Sequence, residues 1–186
     1  MPRNAFHNDL SRGVVIENIA LQNIKNKYPN AYKIEGYCKE YDIWIPEIKG
    51  GIEVKYDSMS NQTGNVVIEI EMFGKPSALI TTKADWWIFY DDNVFVAIKP
   101  IDIINCIFQN KLTYVSFVGN GDTNKKKAFL IKKGLLFKYG WSCEIGKVTP
   151  QATNLNRVTG SVTSREGMFL YLNRLNRGYW HEYYQQ

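Results

Sequence analysis

The pattern of apolar and polar positions divides the chain into a helix, a run of strands, then helix and strand again. Over residues 11–28, Val14, Val15, Ile19, Leu21 and Ile24 recur at near-helical spacing. Ser11 stands where a cap is wanted, and Tyr28-Pro29-Asn30 ends the periodicity. Short apolar or alternating runs predict strands over 31–38, 41–47, 51–57 and 66–72. Gly50-Gly51 marks a turn between the second and third, and residues 57–65 read as a polar loop. Gly74-Lys75-Pro76-Ser77 opens a short helical segment running to Lys83. The bulky run 86–90 and its partner 94–99 predict a hairpin about Asp91-Asp92-Asn93. Pro100 starts a helix over 101–110, residues 128–132 read as a strand, and 168–177 as a helix. This order predicts an α/β or α+β sandwich.

Composition narrows the picture. The apolar and aromatic content is enough for a packed core, and 186 residues suit one domain. No apolar stretch reaches the roughly 18 residues of a membrane span, so a membrane role is not expected. The start, Met-Pro-Arg-Asn-Ala-Phe-His, lacks the apolar core of a secretory signal. Cys38, Cys106 and Cys143 are few, odd in number and far apart, which speaks against a disulfide framework or a Cys-based zinc site. His7 and His181 have no metal-ligand partner at useful spacing. A reducing, cytoplasmic setting is the expectation.

Charge is unevenly spread. Residues 1–124 hold 12 Lys and Arg against 15 Asp and Glu, whereas residues 125–186 hold 11 against 3. A division into a core over 1–124 and a basic extension over 125–186, packed on that core and contacting DNA or an oligomer partner, follows. The asymmetry suits a polyanionic partner; a solvated basic surface would show it equally.

The segment with the most chemistry is 42–55. Asp42 stands at the head of one apolar run, and Glu53-Val54-Lys55 lies in the next. Strand periodicity puts Glu53 and Lys55 on one face and Val54 on the other. If the two runs are neighbouring strands, two carboxylates and an ammonium converge, a set that suits a hard divalent cation. A same-face ion pair on an exposed strand would give the same Glu-x-Lys. Glu69 and Glu71 are predicted to share a face on their strand, a pair that suits a second metal or the positioning of the first, with Glu69 the better candidate; an ordinary exposed strand face would show the same pair. Lys75, Ser77, Thr81, Thr82 and Lys83 are donors suited to backbone phosphates. Lys125, Lys126 and Lys127 suit phosphate tracking, with Tyr179, Trp180, Tyr183 and Tyr184 available for stacking.

In these residues and their order, the sequence resembles the PD-(D/E)XK nuclease superfamily, of phage and prokaryotic type. The resemblance covers roughly residues 10–100: a helix with Glu17, a strand with Asp42, a strand with Glu53-Val54-Lys55, then a helix and a further strand. It departs from the common pattern in having Tyr41, not Pro, before Asp42. The resemblance implies a restriction-endonuclease-like core, with a central mixed β-sheet flanked by helices. It also implies a Mg²⁺-dependent endodeoxyribonuclease, with Mn²⁺ able to substitute. Asp42, Glu53 and the Val54 carbonyl would hold the metal, joined by Glu69, and Lys55 would assist the attacking water. Glu17 would complete the set. DNA is the implied partner, and a homodimer would supply two sites for two strands. A Holliday-junction resolvase or other structure-selective nuclease, and a non-catalytic DNA-binding module of the same fold, are the alternatives.

Overall fold

The computed structural model describes residues 3–36, 40–118, 124–144 and 147–149, with side-chain surroundings for 12–36, 40–118 and 124–140. Helix α1 (Arg3–Lys25) comes first. Strands β1 (Tyr32–Lys33), β2 (Ile43–Ile45) and β3 (Gly50–Tyr56) follow as an antiparallel meander. A short helix α2 (Met59–Thr63) leads to β4 (Asn65–Met72) and β5 (Lys75–Pro76). After a 3-10 turn at Ala78–Ile80 come β6 (Trp86–Tyr90) and β7 (Val94–Ile98), then α3 (Pro100–Gln109). The remaining elements are β8 (Val115–Val118), β9 (Lys125–Lys132), α4 (Lys133–Leu136), β10 (Trp141–Glu144) and β11 (Lys147–Thr149).

Two sheets result. The larger runs β1-β2-β3-β6-β7-β10-β11, and the smaller β5-β4-β9-β8. The larger sheet is mixed, because β6 lies parallel to β3 while β1–β2, β2–β3 and β6–β7 are antiparallel. Parallel neighbours need a crossover, and residues 57–85 supply it by way of the second sheet. The fold is therefore a mixed α/β class with a central mixed sheet. The helix expected between Gly74 and Lys83 is one 3-10 turn, and the expected loop 57–65 contains α2.

Strand pairing sets the faces. Glu53 stands beside Trp87 and Lys55 beside Phe89, while Trp87 pairs with Ile98 and Phe89 with Val96. This face is the bed for the smaller sheet: Trp87, Phe89, Val96 and Ile98 form one core with Val66, Ile68, Phe129, Ile131 and α3. On the other face, Ile43, Ile45, Ile52 and Phe95 pack with Ile16 and Ala20 of α1. Cys106 of α3 is fully buried in the first core, and burial pushes its thiol pKa up to about 12.

Several expectations need correction. Helix α1 begins at Arg3, so Ser11 lies inside the helix and not at its start. Among the described residues of the strand expected over 31–38, Tyr32 and Lys33 form the strand. The predicted strand 128–132 begins at Lys125 and takes in the lysine run. Its Phe129 and Ile131, with Leu136, sit in the main core. The helix expected over 168–177 lies outside the described residues, as do the terminal aromatic residues and His181. Among the described residues, no helix is long and apolar enough to cross a membrane.

A polar network ties the ends of the parallel strands. Lys133 Nζ donates to Asp91 Oδ2 at 2.7 Å and to Asn61 Oδ1 at 2.5 Å. Asp91 is 2% exposed and also accepts the N–H groups of Asn93 and Val94. Burial alone would raise its pKa, but Lys133 and these N–H groups outweigh it and hold the carboxyl below the usual value. Asp57 is held above the usual range, chiefly by burial.

Two tests follow from the packing. A Cβ at Gly51 would lie 2.5 Å from the Tyr41 ring, which is itself stacked on Trp44. Gly51→Ala should cost about 1–3 kcal/mol in urea unfolding, as overpacking does. Asp91→Asn should cost about 1–3 kcal/mol near neutral pH, because Lys133 loses its charged acceptor. A carboxyl with a lowered folded pKa contributes stability above its unfolded pKa and loses it as pH falls through the folded value. The gap between wild type and Asp91→Asn should therefore close on titration from about pH 5 downward; a gap constant with pH would contradict this account.

Candidate functional site

Glu53 and Lys55 project from the same face of β3, with Lys55 Nζ donating to Glu53 Oε1 at 2.5 Å. The ammonium also stands 5.2 Å from the centroid of the Trp87 ring. Trp87 is buried, and its indole N–H donates to Thr82 Oγ1 at 3.1 Å. The strand thus places Lys55 against a fixed aromatic wall, which limits the positions its long side chain can adopt.

Asp42 reaches this region by a different route. Ile43 pairs with Ile52, so Asp42 lies across from Glu53, just beyond the end of β2. Its main chain continues the ladder, with its N–H on the Ile52 carbonyl and its carbonyl accepting from Ile34 N–H. The next donor on that edge of β3, Val54 N–H, has no strand opposite it. The Asp42 carboxylate turns into the seam and accepts it at 2.6 Å. Asp42 is consequently 5% exposed. Val54 turns its side chain to the α1 side, where it packs on the second core.

Beside Glu53 is a cleft of about 180 Å³, lined by Glu40, Glu53, Ala78, Thr81, Thr82, Lys83 and Trp87. Glu40 was not among the residues singled out in the sequence; it lies two positions before Asp42 and forms an ion pair with Lys83. Both partners of that pair are more than half exposed. Thr82 serves the protein, accepting from Trp87 and from Ala84 N–H at 3.2 Å. Thr81 and Lys83 are exposed at the rim, and Lys75 is exposed on β5.

Other expected members of the site lie elsewhere. Glu17 sits on α1, which packs on the Val54 side of the sheet, and pairs with Lys33 at 2.5 Å. Period-two geometry puts that side opposite to Glu53 and Lys55. Glu69 and Glu71 do not share a face as the alternation predicts. A bulge between them shifts the register, so that Glu69 opposes Ala128 and Glu71 opposes Lys127. Glu69 then accepts from Ser77 Oγ at 2.6 Å and lies 3.5 Å from Lys126. Glu71 is buried and bonded to Lys127 at 2.9 Å, with the Lys127 ammonium also over the Tyr114 ring. The run Lys125-Lys126-Lys127 is thus split between faces: Lys126 and Lys127 are paired with glutamates, and Lys125 is exposed. Ser77 is likewise committed to Glu69.

Among the described residues, no group of three His, Cys, Asp or Glu side chains is placed to hold a metal ion. Comparison with protein-family models, with curated proteins and with solved structures finds no match.

The Asp42–Val54 contact makes a specific stability prediction. Asp42→Ala leaves a buried N–H without its acceptor and should cost about 1–3 kcal/mol. Lys55→Ala removes a partly exposed pair and should change stability by less than about 1 kcal/mol. Urea titration of both variants checks this. Equal losses would mean that the seam contact is not what holds Asp42 in place.

Proposed function

We propose that this chain is a divalent-metal-dependent endonuclease acting on DNA. The observation that supports the reading most is the shared placement of Glu53 and Lys55 on one face of a central mixed strand. Asp42 lies across from them, and a polar cleft opens beside Glu53. The meander β1-β2-β3 with β6 parallel to β3 also agrees with the helix, strand, strand order of the nuclease resemblance. It departs from that resemblance where a strand pair replaces the crossover helix.

The donor set fits a hydrated Mg²⁺ held by one or two carboxylates and does not fit an all-protein cage. Asp42 and Glu53 would hold the ion. A carboxylate has two oxygens and about four lone-pair directions, so the Val54 bond does not exhaust Asp42. When bound, such an ion polarises a phosphate oxygen and lowers the pKa of a coordinated water.

The rest of the chemistry belongs to the chain. Lys55 supplies positive charge beside Glu53, where charge grows on a phosphate in the transition state. Trp87 limits the reach of its side chain and excludes water from one side. Lys83 is held by an exposed pair with Glu40, a weak contact that a phosphate oxygen can replace. Thr81 adds a hydroxyl at the same rim. Glu17, Lys126 and Lys127 have no part in this scheme, because each is held by an ion pair away from the cleft.

A second reading has its own support. Asp42 is engaged by Val54 N–H and Glu53 by Lys55, contacts that would also serve a non-catalytic DNA-binding module. Cleavage separates the two. Linear duplex, single-stranded and four-way-junction DNA are incubated with Mg²⁺, Mn²⁺ or EDTA. Wild type should cut only with metal, and Glu53→Gln and Lys55→Ala should lose at least about 100-fold in rate while still binding. Preference for the junction would identify a structure-selective nuclease. Salt-dependent binding without cutting under any metal would establish the binding module. No salt-sensitive binding at all would end both readings.

A further inference from the structure

An apolar cavity lies on the opposite face of the central sheet from Glu53 and Lys55. Helix α1 packs over β2 and β3 through Ile16 and Ala20, and the sheet continues through β6 and β7 alongside it. Along the flank of α1 this leaves a recess of about 360 Å³. Its floor is Ile45, Ile52, Ile88 and Phe95, with Trp86 and Ala97 alongside. Its wall is Ala20, Asn23 and Ile24 of α1, spaced at three and four residues as one helix face requires, with Lys27 and Tyr28 just past the end of the helix. Ile48, 47% exposed, forms part of the lip.

The size falls within the roughly 300–1,000 Å³ of small-molecule pockets. The lining is mostly apolar, and its polar groups are the Lys27 ammonium, the Asn23 amide and the Tyr28 phenol. Lys27 is the sole ionisable cation among its lining residues, no acid lines it, and Asn23 adds an amide donor. A second ammonium, that of Lys99, stands 5.0 Å over the Trp86 ring that forms part of the wall. An apolar hollow with cations at its edges complements a molecule with an apolar body and one anionic group.

We infer that this recess is a binding site for a small amphiphilic anion, such as a medium-chain carboxylate. The chain or ring system lies on Ile45, Ile52, Ile88 and Phe95, and the anionic group reaches Lys27 and Lys99. The site is separate from the cleft at Glu53, being on the other face of β3 and β6, and does not depend on the nuclease reading.

The test uses the full chain and dodecanoate, below its micelle concentration, in a calorimetric titration with light scattering alongside. Saturable one-to-one binding is expected. The double variant Lys27→Glu, Lys99→Glu should weaken it at least about fivefold, in line with the loss of about 1 kcal/mol of ion contact. Ala97→Phe, which fills the recess, should abolish it with the circular dichroism spectrum unchanged. If Ala97→Phe does not fold, Ile88→Trp serves the same purpose. Absence of saturable binding overturns the inference, as does binding that survives both the charge reversal and the filling variant. A recess already closed by self-association would show as a dimer that binds no dodecanoate, and would also overturn it.

Discussion

The packing of the smaller sheet onto one face of the larger is the constraint on which the rest of the structure depends. Trp87, Phe89, Val96 and Ile98 are buried because Val66, Ile68, Phe129 and Ile131 cover them. The same face carries Glu53 and Lys55 one strand away. Two charged side chains next to a dry core must be kept at its edge and satisfied there. The Glu53–Lys55 pair, the Lys55–Trp87 contact and the cleft under Thr81 and Lys83 together meet that requirement. The candidate chemistry is thus located where the cover of the second sheet stops.

Asp42 shows how one side chain can serve architecture at a site proposed for catalysis. Strand β2 ends while β3 continues, and an unpaired N–H at Val54 would be costly in a buried seam. A carboxylate is well suited to accept it, being short and charged. The bond explains why Asp42 is buried, and it means that any ligand at Asp42 must share it with Val54. A similar logic operates at the other ends of β3 and β6. There Asp57 and Asp91 cap turns and Lys133 neutralises Asp91 across from the second sheet. The two sheets are therefore joined by a buried ion pair at one end and by apolar packing between.

The two faces of the central sheet have different partners. One is covered by a sheet and α3, and carries the charged pair at its margin. Among the described residues, the other is covered by α1 over only part of its width, which leaves the apolar recess beside Trp86 and Ile88. A seven-stranded sheet is wider than one helix can cover, so an apolar strip next to α1 follows from the topology. Lys27 lines this recess, and Lys99 stands over the Trp86 ring beside it.

Much of the first hundred residues was legible in the sequence. The runs 66–72 and 86–90, the hairpin at 91–93, and the helix opened by Pro100 all depend on local periodicity and turn chemistry, and they appear close to where these predict. Glu53 and Lys55 share a face for the same local reason, since strand period is two. What the sequence could not supply is anything that needs a partner strand. The bulge that turns Glu71 away from Glu69 is defined against β9, the burial of Lys127 against Tyr114, and the place of 125–132 in the core against β4. The position of Glu17 depends on which face α1 covers. Period alone determined the spacing of these charges along the chain; tertiary pairing decided which of them meet, because a charge takes its partner from the neighbouring element and not from its own.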